Sequence, residues 1–328
     1  MAAIQRILVV GAVGQIGSEL TLALRGRYGA DNVVAAGRKT KPSPALRDSG
    51  PFTWCDVVDR ARLDETIREF KIDTIVNMAA ILSATGEKNP QACWEVNVTG
   101  LINTLEAARE HNLVQVLCPS SIAVFGPETP KDNTPQETIL RPTTMYGVTK
   151  VTGELLCDYY VRRFGVDARG LRYPGIISAE TPPGGGTTDF AVWIFYKAIE
   201  EGRYECFVRE DTRLPMMYMP DCIKATMDLM EAPFDRLKHH GDFNVGAMSF
   251  SAGELAAEIK KHVPGFEVTY NPDFRQAIAD SWPSSIDDSA ARAEWGWRPA
   301  YDLEKMTVDM LARLRERHER GELYPRTD

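Results

Sequence analysis

The chain has 328 residues, of which 44% are hydrophobic and 26% charged, and its formal net charge is −8 at pH 7. These proportions are typical of a soluble globular protein with one large domain or two smaller ones. The negative charge argues against nucleic acid or an anionic membrane as the main partner, because both attract surplus lysine and arginine. No apolar run approaches the roughly 20 residues that a membrane span needs.

The first residues and the cysteines indicate the cellular compartment in which we expect the protein. A predicted strand, Ile7–Val10, begins almost at once and leaves no room for a signal or transit peptide. The six cysteines are scattered without a C-x-x-C pair, and the five histidines show no ligand spacing. We therefore expect a cytoplasmic protein with free thiols and no metal site.

Apolar runs and amphipathic stretches alternate along the first half of the chain. Ile7–Val10 leads into G-A-V-G-Q-I-G, and an amphipathic helix is predicted from about Gln15 to Tyr28. The predicted elements that follow are V-V-A-A, F-T-W-C, a helix near Arg60–Phe70, T-I-V-N-M, a long helix near Pro90–His111, V-Q-V-L-C, a helix over Thr144–Phe164 and a strand over Ala168–Tyr173. This alternation predicts an α/β fold, a Rossmann-type doubly wound parallel sheet over residues 1–175.

The composition changes after Pro174. The segment T-P-P-G-G-G-T-T-D, Thr181–Asp189, is a predicted loop because its glycines and prolines cannot extend a helix or a central strand. Helical patterns then mix with isolated strands; they cover Phe190–Glu201, Asp221–Met230 and Ser251–His262. We predict a smaller substrate-binding lobe over residues 176–328, which can return a strand or two to the sheet.

A glycine-rich loop, Gly11-x-x-Gly14-x-x-Gly17, joins the first predicted strand to the first helix. Gly11 permits a tight turn, Gly14 lets the backbone approach a pyrophosphate, and Gly17 lets the helix pack on the strand. The N-terminus of the helix then faces the phosphate charge. The loop predicts a dinucleotide site; the alternative is a purely structural turn, since the spacing differs from G-x-G-x-x-G.

Tyr146 and Lys150 lie one turn apart on a predicted helix, so both side chains point into one site. The lysine ammonium favours a phenolate that can serve as a general base near neutral pH. Ser120 and Ser121 follow the predicted strand V-Q-V-L-C, at the edge of a parallel sheet where ligands bind. A serine there can hydrogen-bond a substrate oxygen. The alternatives are a solvated Tyr–Lys pair and a serine that caps a helix or turn.

Together these residues resemble the extended form of the short-chain dehydrogenase/reductase superfamily. Ser121 takes the place of its serine, because S-I-A-V-F-G matches the segment S-x-x-V-[YF]-G. The resemblance implies that Tyr146 takes the substrate hydroxyl proton while hydride passes to nicotinamide, that Lys150 holds the nicotinamide ribose, and that Ser121 fixes the substrate oxygen. The cofactor contacts it implies are Gly11, Gly14, Gln15, Ile16, Gly17, Arg38, Asp56, Val57, Ala79, Ala80, Asn97, Tyr146, Lys150, Pro174 and Ile176.

A narrower resemblance, to the short-chain type of L-threonine 3-dehydrogenases, covers nearly the whole chain. It rests on P-S-S-I-A-V-F-G-P, Y-G-V-T-K-V-T-G-E-L-L, R-Y-P-G-I-I-S-A-E-T-P-P-G-G-G-T-T-D-F, L-P-M-M-Y-M-P-D and S-W-P-S-S-I-D-D-S-A-A-R-A-E-W-G-W. It implies NAD-dependent oxidation of the C3 hydroxyl of L-threonine to 2-amino-3-oxobutanoate, without a metal. The superfamily resemblance implies in addition a homodimer formed through the helix that carries Tyr146 and the helix before it.

The same resemblance implies a substrate pocket made by Ser83, Ser121, Tyr146, Thr187, Thr188 and Trp282. For Thr187 and Thr188 the alternative is a helix N-cap, and both roles can hold. Trp282 has the alternative of an ordinary core residue.

Nucleotide-sugar 4-epimerases and dehydratases share the glycine loop and the Ser-Tyr-Lys set, so they are the second candidate. Many of them present an arginine that binds a diphosphate shortly before the segment corresponding to M-Y-M-P-D. Here Arg213 is followed by the apolar strip Leu214–Met217, which suits a diphosphate poorly.

The end of the second predicted strand leaves the choice of cofactor open. In the resembled family an aspartate there accepts from the adenosine ribose, whereas this chain has Gly37 followed by Arg38, Lys39 and Lys41. The resemblance favours NAD, and the local charge favours NADP; a solvated basic turn without cofactor contact is the third interpretation. Asp56, after the next strand, can accept from the adenine amino group.

Overall fold

The structure is a computed structural model that describes residues 3–324. Its strands are β1 Ile7–Val10, β2 Val33–Gly37, β3 Phe52–Trp54, β4 Thr74–Asn77, β5 Gln115–Leu117, β6 Ser120–Ser121, β7 Ala168–Arg169, β8 Leu171–Tyr173, β9 Gly175–Ile177, β10 Arg203–Cys206, β11 Arg213–Tyr218, β12 Phe243–Asn244, β13 Met248–Ser251 and β14 Glu267–Tyr270. Its α-helices are α1 Gln15–Tyr28, α2 Pro44–Asp48, α3 Arg60–Phe70, α4 Ser83–Lys88, α5 Pro90–Trp94, α6 Gly100–His111, α7 Met145–Phe164, α8 Phe190–Glu200, α9 Met219–Glu231, α10 Ala252–His262, α11 Arg275–Ser281, α12 Ser289–Trp295 and α13 Leu303–Glu319.

The central sheet is parallel, with strand order β3-β2-β1-β4-β5-β7. The chain leaves β1 toward β3 on one side and then returns to build β4, β5 and β7 on the other. β1 is buried along its whole length, as a strand covered by helices on both faces must be. The predicted Rossmann-type, doubly wound fold is therefore confirmed.

Two predicted elements are interrupted in the structure. The strand predicted over Ala168–Tyr173 is split at Gly170 into β7 and β8, where a Cβ would lie 2.4 Å from the carbonyl oxygen of Cys118. The helix predicted over Pro90–His111 contains a wider π-helical turn, Glu95–Thr99, between α5 and α6. Such turns redirect side chains and recur at functional sites.

The chain after β8 contributes strands to three smaller sheets and adds none to the six-stranded one in the part of the chain that the structure describes. β12 pairs in parallel with β8, which also pairs with β6. β9, β11 and β13 form a three-stranded sheet, and β10 pairs with β14. A hydrophobic core containing α8, α10 and α13 packs beside them. The division into two lobes near residue 175 stays a prediction.

Three further observations concern residues 3–324. No helix in that range combines the length and the apolar character that crossing a membrane requires. All six cysteines are buried and unpaired. No three histidine, cysteine or carboxylate side chains in this part of the chain are grouped closely enough to hold a metal ion.

Candidate active site

In the glycine loop between β1 and α1, each position favours glycine for its own structural reason. Gly11 has φ +78°, in the left-handed region that glycine adopts at least cost. At Gly17 a Cβ would lie 2.3 Å from the Gly11 carbonyl oxygen, so the helix could not pack this closely with any side chain there. At Gly14 a Cβ would lie 3.3 Å from the same carbonyl oxygen, a tight contact, so glycine is favoured there as well.

The start of α1 at this loop fits the phosphates of a dinucleotide. α1 begins after Gly14, and no side chain caps its first backbone N–H groups. Unpaired donors at a helix N-terminus, with no Cβ at Gly14 in the way, suit the close approach of a pyrophosphate. The residues present therefore fit a nicotinamide dinucleotide.

A cleft of about 150 Å³, partly open to solvent, lies beside this loop at the carboxyl ends of the strands. Predicted site residues that line it are Gln15, Ile16, Ala80, Ser83, Ser121, Tyr146, Lys150, Pro174, Ile176, Thr187, Thr188 and Trp282. The structure thus brings together the predicted catalytic residues, the predicted substrate residues and one end of the predicted cofactor site.

Tyr146 and Lys150 lie on the first turns of α7 and face this cleft together. The Lys150 ammonium is 5.5 Å from the centroid of the Tyr146 ring. Lys150 Nζ also donates to the Pro119 carbonyl at 2.7 Å, which ties it to the segment between β5 and β6. Ser121 ends β6, and its Oγ accepts from the Ala123 N–H at 3.2 Å. Ser121 therefore caps a turn while it faces the cleft, as the alternative for this serine predicted.

The start of α7 is fixed by a cap and a close contact. Thr144 Oγ1 accepts from the Gly147 N–H at 3.1 Å. A Cβ at Gly147 would lie 2.2 Å from the Ala123 carbonyl oxygen, so only glycine lets the helix approach the turn after Ser121 this closely. These two features place Tyr146 beside Ser121.

Asn97 lies in the π-helical turn and hydrogen-bonds two segments that flank the cleft. Its Oδ1 accepts from the Ile81 N–H at 2.8 Å, and its Nδ2 donates to the Ile81 carbonyl at 3.0 Å. Nδ2 also donates to Thr149 Oγ1 at 3.0 Å. Asn97 therefore joins the segment after β4 to α7. Asn97 and Ala79 line a second, smaller cavity instead of the main cleft, and Lys150 lines both.

The glycine-rich segment Thr181–Asp189 covers one side of the cleft. The Asp189 carboxylate accepts from the N–H groups of Gly185 and Gly186 at 2.8 and 2.7 Å, and burial raises the pKa of Asp189 to about 6. Thr187 Oγ1 is 3.1 Å from Ser83 Oγ on α4. Neither threonine caps α8, because the N-cap residue is Asp189 and no side chain accepts from the first N–H groups of that helix.

The first helix also contacts this segment. Gln15 Nε2 donates to the Thr181 carbonyl at 3.2 Å, and Ser18 Oγ is 3.3 Å from Thr181 Oγ1. The covering segment is thus attached to the helix that begins at the glycine loop.

Comparison with known proteins identifies the family. The chain matches the NAD dependent epimerase/dehydratase family over residues 7–246. It belongs to that family. An uncharacterized epimerase/dehydratase of Staphylococcus saprophyticus is 52% identical over 308 residues, covering 94% of this chain and 96% of the relative.

Solved structures similar to this epimerase/dehydratase family member carry a more specific name. The L-threonine dehydrogenase of Clostridium difficile is 51% identical with a TM-score of 0.94, covering 96% of this chain and 99% of that one. A monomeric L-threonine 3-dehydrogenase from a metagenome is 51% identical with a TM-score of 0.91, covering 94% and 99%. The resemblance inferred from the sequence is confirmed at this level.

In this family member the other predicted cofactor residues lie outside the main cleft. Arg38 follows β2, and its Nη1 is 3.9 Å from Asp56 Oδ2 after β3. Val57 is buried against Gly100, and its carbonyl accepts from Asn103 Nδ2 at 3.1 Å. Arg38 and Asp56 are thus close together at the carboxyl ends of β2 and β3, while the Val57 side chain belongs to the core.

Sequence reasoning missed several residues of the cleft. These are Asn77, Met78, Leu82, Pro119, Ile122, Tyr173, Gly175, Gly186 and Asp189. Most of them lie at or just after the carboxyl ends of β4, β5, β6 and β8, so the rule that ligands bind there could have found them. Asp189 could also have been found from the sequence, because it is the only carboxylate in the predicted loop Thr181–Asp189.

Proposed function

We propose that this chain oxidises the C3 hydroxyl of L-threonine to 2-amino-3-oxobutanoate with NAD as the oxidant. The observation that carries the proposal is the shared cleft of Tyr146, Lys150 and Ser121 beside a loop that fits a dinucleotide. The name of the solved relatives at 51% identity supports threonine as the substrate.

Each catalytic side chain has a defined role in this proposal. Bound NAD supplies the hydride acceptor. The Tyr146 phenolate takes the proton from the C3 hydroxyl. The Lys150 ammonium has three donors, of which the Pro119 carbonyl occupies one, so two remain to stabilise the phenolate and to bind a ribose hydroxyl. Ser121 Oγ accepts from a backbone N–H, which leaves its own hydrogen for the substrate oxygen.

The walls of the cleft suit a small polar substrate. Ser83 and Thr187 present buried hydroxyls 3.1 Å apart, and Thr188 lies next to them. Trp282 closes the cleft with an apolar surface and is 6% exposed. Hydroxyl groups can donate to a carboxylate and accept from an ammonium, which are the two charged groups of an amino acid.

Nucleotide-sugar epimerisation fits this chain less well. Arg213, the one arginine near the segment M-Y-M-P-D, forms an ion pair with Glu254 and donates to the Ser249 carbonyl at 2.9 Å. Leu214, Met216 and Met217 after it are completely buried. A diphosphate would find neither a free guanidinium nor an open polar surface there.

The purified full chain tests the proposal by spectrophotometry. L-threonine with NAD should give reduced cofactor, and D-threonine, L-serine and L-allothreonine form the substrate panel. UDP-glucose and UDP-galactose test the second candidate by product analysis. Turnover of a nucleotide sugar, or no reduction of either NAD or NADP by L-threonine, would contradict the proposal.

A further inference from the structure

The turn after β2 carries exposed cations where dinucleotide-binding sheets commonly present an acid. Gly37 ends β2, and Arg38, Lys39 and Lys41 follow on the surface. The turn adjoins the glycine loop, because the N–H of Ala12 donates to the Ala36 carbonyl at 3.0 Å. An adenosine ribose bound beyond this strand end would therefore meet cations in place of a carboxylate.

The packing around Gly37 disfavours a carboxylate at that position. A Cβ there would lie 3.2 Å from the Phe52 ring and 3.2 Å from the Val13 side chain. Both neighbouring side chains would have to shift by a few tenths of an ångström to admit any side chain at position 37. In NAD sites an acidic side chain binds the ribose 2′-hydroxyl. This chain has no such acid at position 37, and the packing leaves little space for one.

Asp56, the carboxylate beside Arg38, is already engaged. Its Oδ1 accepts from the Val58 N–H at 3.1 Å, and its Oδ2 is 3.9 Å from Arg38 Nη1. Across residues 3–324 this is the one ion pair within 4 Å that Arg38 makes, and it is too long for a hydrogen bond. The Arg38 side chain is 57% exposed, so its N–H donors are available to a ligand.

A guanidinium in this position suits a phosphate ester better than a hydroxyl. Arginine binds phosphate through two parallel N–H donors, and neighbouring lysines add charge. The whole chain has a net charge of −8, so these cations are not part of a generally basic protein. The 2′-phosphate is the group that distinguishes NADP from NAD, and an arginine near this strand end accommodates it in NADP-binding sheets.

We propose that Arg38, supported by Lys39 and Lys41, forms a subsite for the 2′-phosphate of NADP. The chain then binds NADP more tightly than NAD, and NAD remains usable because the two dinucleotides share every other group. The inference rests on the proposed function only in requiring a dinucleotide site.

Binding of adenosine fragments tests the subsite without any turnover. Isothermal titration of the full chain would compare adenosine 2′,5′-bisphosphate with adenosine 5′-monophosphate, and adenosine 3′,5′-bisphosphate serves as the control of equal charge. The 2′,5′ isomer should bind about tenfold more tightly than the monophosphate, as a charge-assisted contact predicts. The 3′,5′ isomer should not, and the gain should shrink at high salt.

Two variants distinguish a specific contact between Arg38 and the 2′-phosphate from a general effect of positive charge. Arg38→Ala should remove most of the gain from the 2′-phosphate. Arg47→Ala removes the same charge from α2, where Arg47 pairs with Asp48, and should leave the gain intact. Equal affinity for the 2′,5′-bisphosphate and the monophosphate, or a gain that survives Arg38→Ala, would overturn the inference alone. If none of the nucleotides binds, the dinucleotide site and the proposed function are overturned with it.

Discussion

Tyr146 illustrates how a single side chain depends on its immediate neighbours. The Thr144 cap and the close contact at Gly147 fix the start of α7, and they aim the phenol into the cleft. The ring is 8% exposed, which limits its contact with water before a ligand arrives. Removing the hydroxyl alone is therefore a change that leaves this packing in place.

We expect Tyr146→Phe to lower kcat for L-threonine by about 10²- to 10⁴-fold, the range typical of losing a general base. The affinity for NADH should change little, since the glycine loop and Lys150 remain. Stopped-flow or steady-state assays measure the first quantity, and fluorescence titration of NADH measures the second. Activity retained within a factor of about ten would contradict the assignment of the base.

Two glycines of α1 form a matched pair with opposite surroundings. A Cβ at Gly17 would lie 2.3 Å from the Gly11 carbonyl oxygen, whereas nothing lies within 4 Å of a Cβ at Gly26. Both residues are in the same helix, so a change from glycine to alanine brings the same gain in helix propensity at either position.

We expect Gly17→Ala to reduce the free energy of unfolding by about 1–3 kcal/mol, because the backbone of the loop must move. Gly26→Ala should raise it by about 0.5–1 kcal/mol through helix propensity. Urea denaturation of both variants measures these changes. Equal effects of the two substitutions would mean that the loop tolerates a methyl group at Gly17.

At the scale of elements, the half-buried carboxylate of Glu19 joins α1 to the segment that covers the cleft. Glu19 Oε1 accepts from Ser178 Oγ at 2.5 Å, and Ser178 Oγ in turn accepts from the N–H groups of Glu180 and Thr181. Burial raises the pKa of Glu19 to about 7, with a smaller contribution from the nearby Glu180. Arg313 and Arg317 act in the opposite direction.

This raised pKa predicts a pH dependence of stability. Between the ordinary carboxyl pKa and about 7, the folded chain holds a proton on Glu19 that the unfolded chain has released, so stability falls as pH rises through that window. Glu19→Gln keeps the shape and cannot ionise. The variant should lose less stability between about pH 5 and pH 7, by up to about 3 kcal/mol.

Thermal unfolding followed across this pH range tests the prediction. Glu231→Gln is a matched control, because Glu231 is a more exposed glutamate whose ion pair with Arg27 lowers its pKa. Parallel pH profiles for the native chain and Glu19→Gln would contradict the role of Glu19.

At the scale of the whole molecule, one face of α7 exposes apolar side chains. Val148, Leu155 and Tyr159 are 39%, 66% and 53% exposed, and their spacing puts them on the same side of the helix. Ile102 on the neighbouring α6 is 37% exposed. We propose that a second copy of this chain covers this surface, as the resemblance to a dimeric superfamily implies.

Leu155→Glu should convert the dimer to a monomer at micromolar concentration, because a buried unpaired carboxylate is costly. Val308→Glu is the control, since Val308 lies about half exposed on α13. Sedimentation velocity gives the mass to compare with the 36.6 kDa of one chain. A native chain that sediments as a monomer, the state named for one solved relative, would contradict the proposal.

The local pattern of the sequence predicted most elements of the fold. α1 and α3 have the bounds that their amphipathic patterns predicted, and α7 begins one residue later, after its threonine cap. Hydrophobic periodicity and capping residues act within a few positions along the chain, so they can be read without tertiary contacts. The π-helical turn in the helix predicted over Pro90–His111 could not be predicted from such local patterns, because Asn97 reaches Ile81 only after folding.

The sequence by itself determined the parallel sheet, the glycine loop and the pairing of Tyr146 with Lys150, because each depends on spacing within one element or between adjacent ones. Only the tertiary structure decided that Asp189 holds the glycine segment and that Thr187 meets Ser83 across the cleft. It also decided that Asp56 lies beside Arg38. These contacts join residues that are brought together by loops, whose paths depend on the packing of the whole chain.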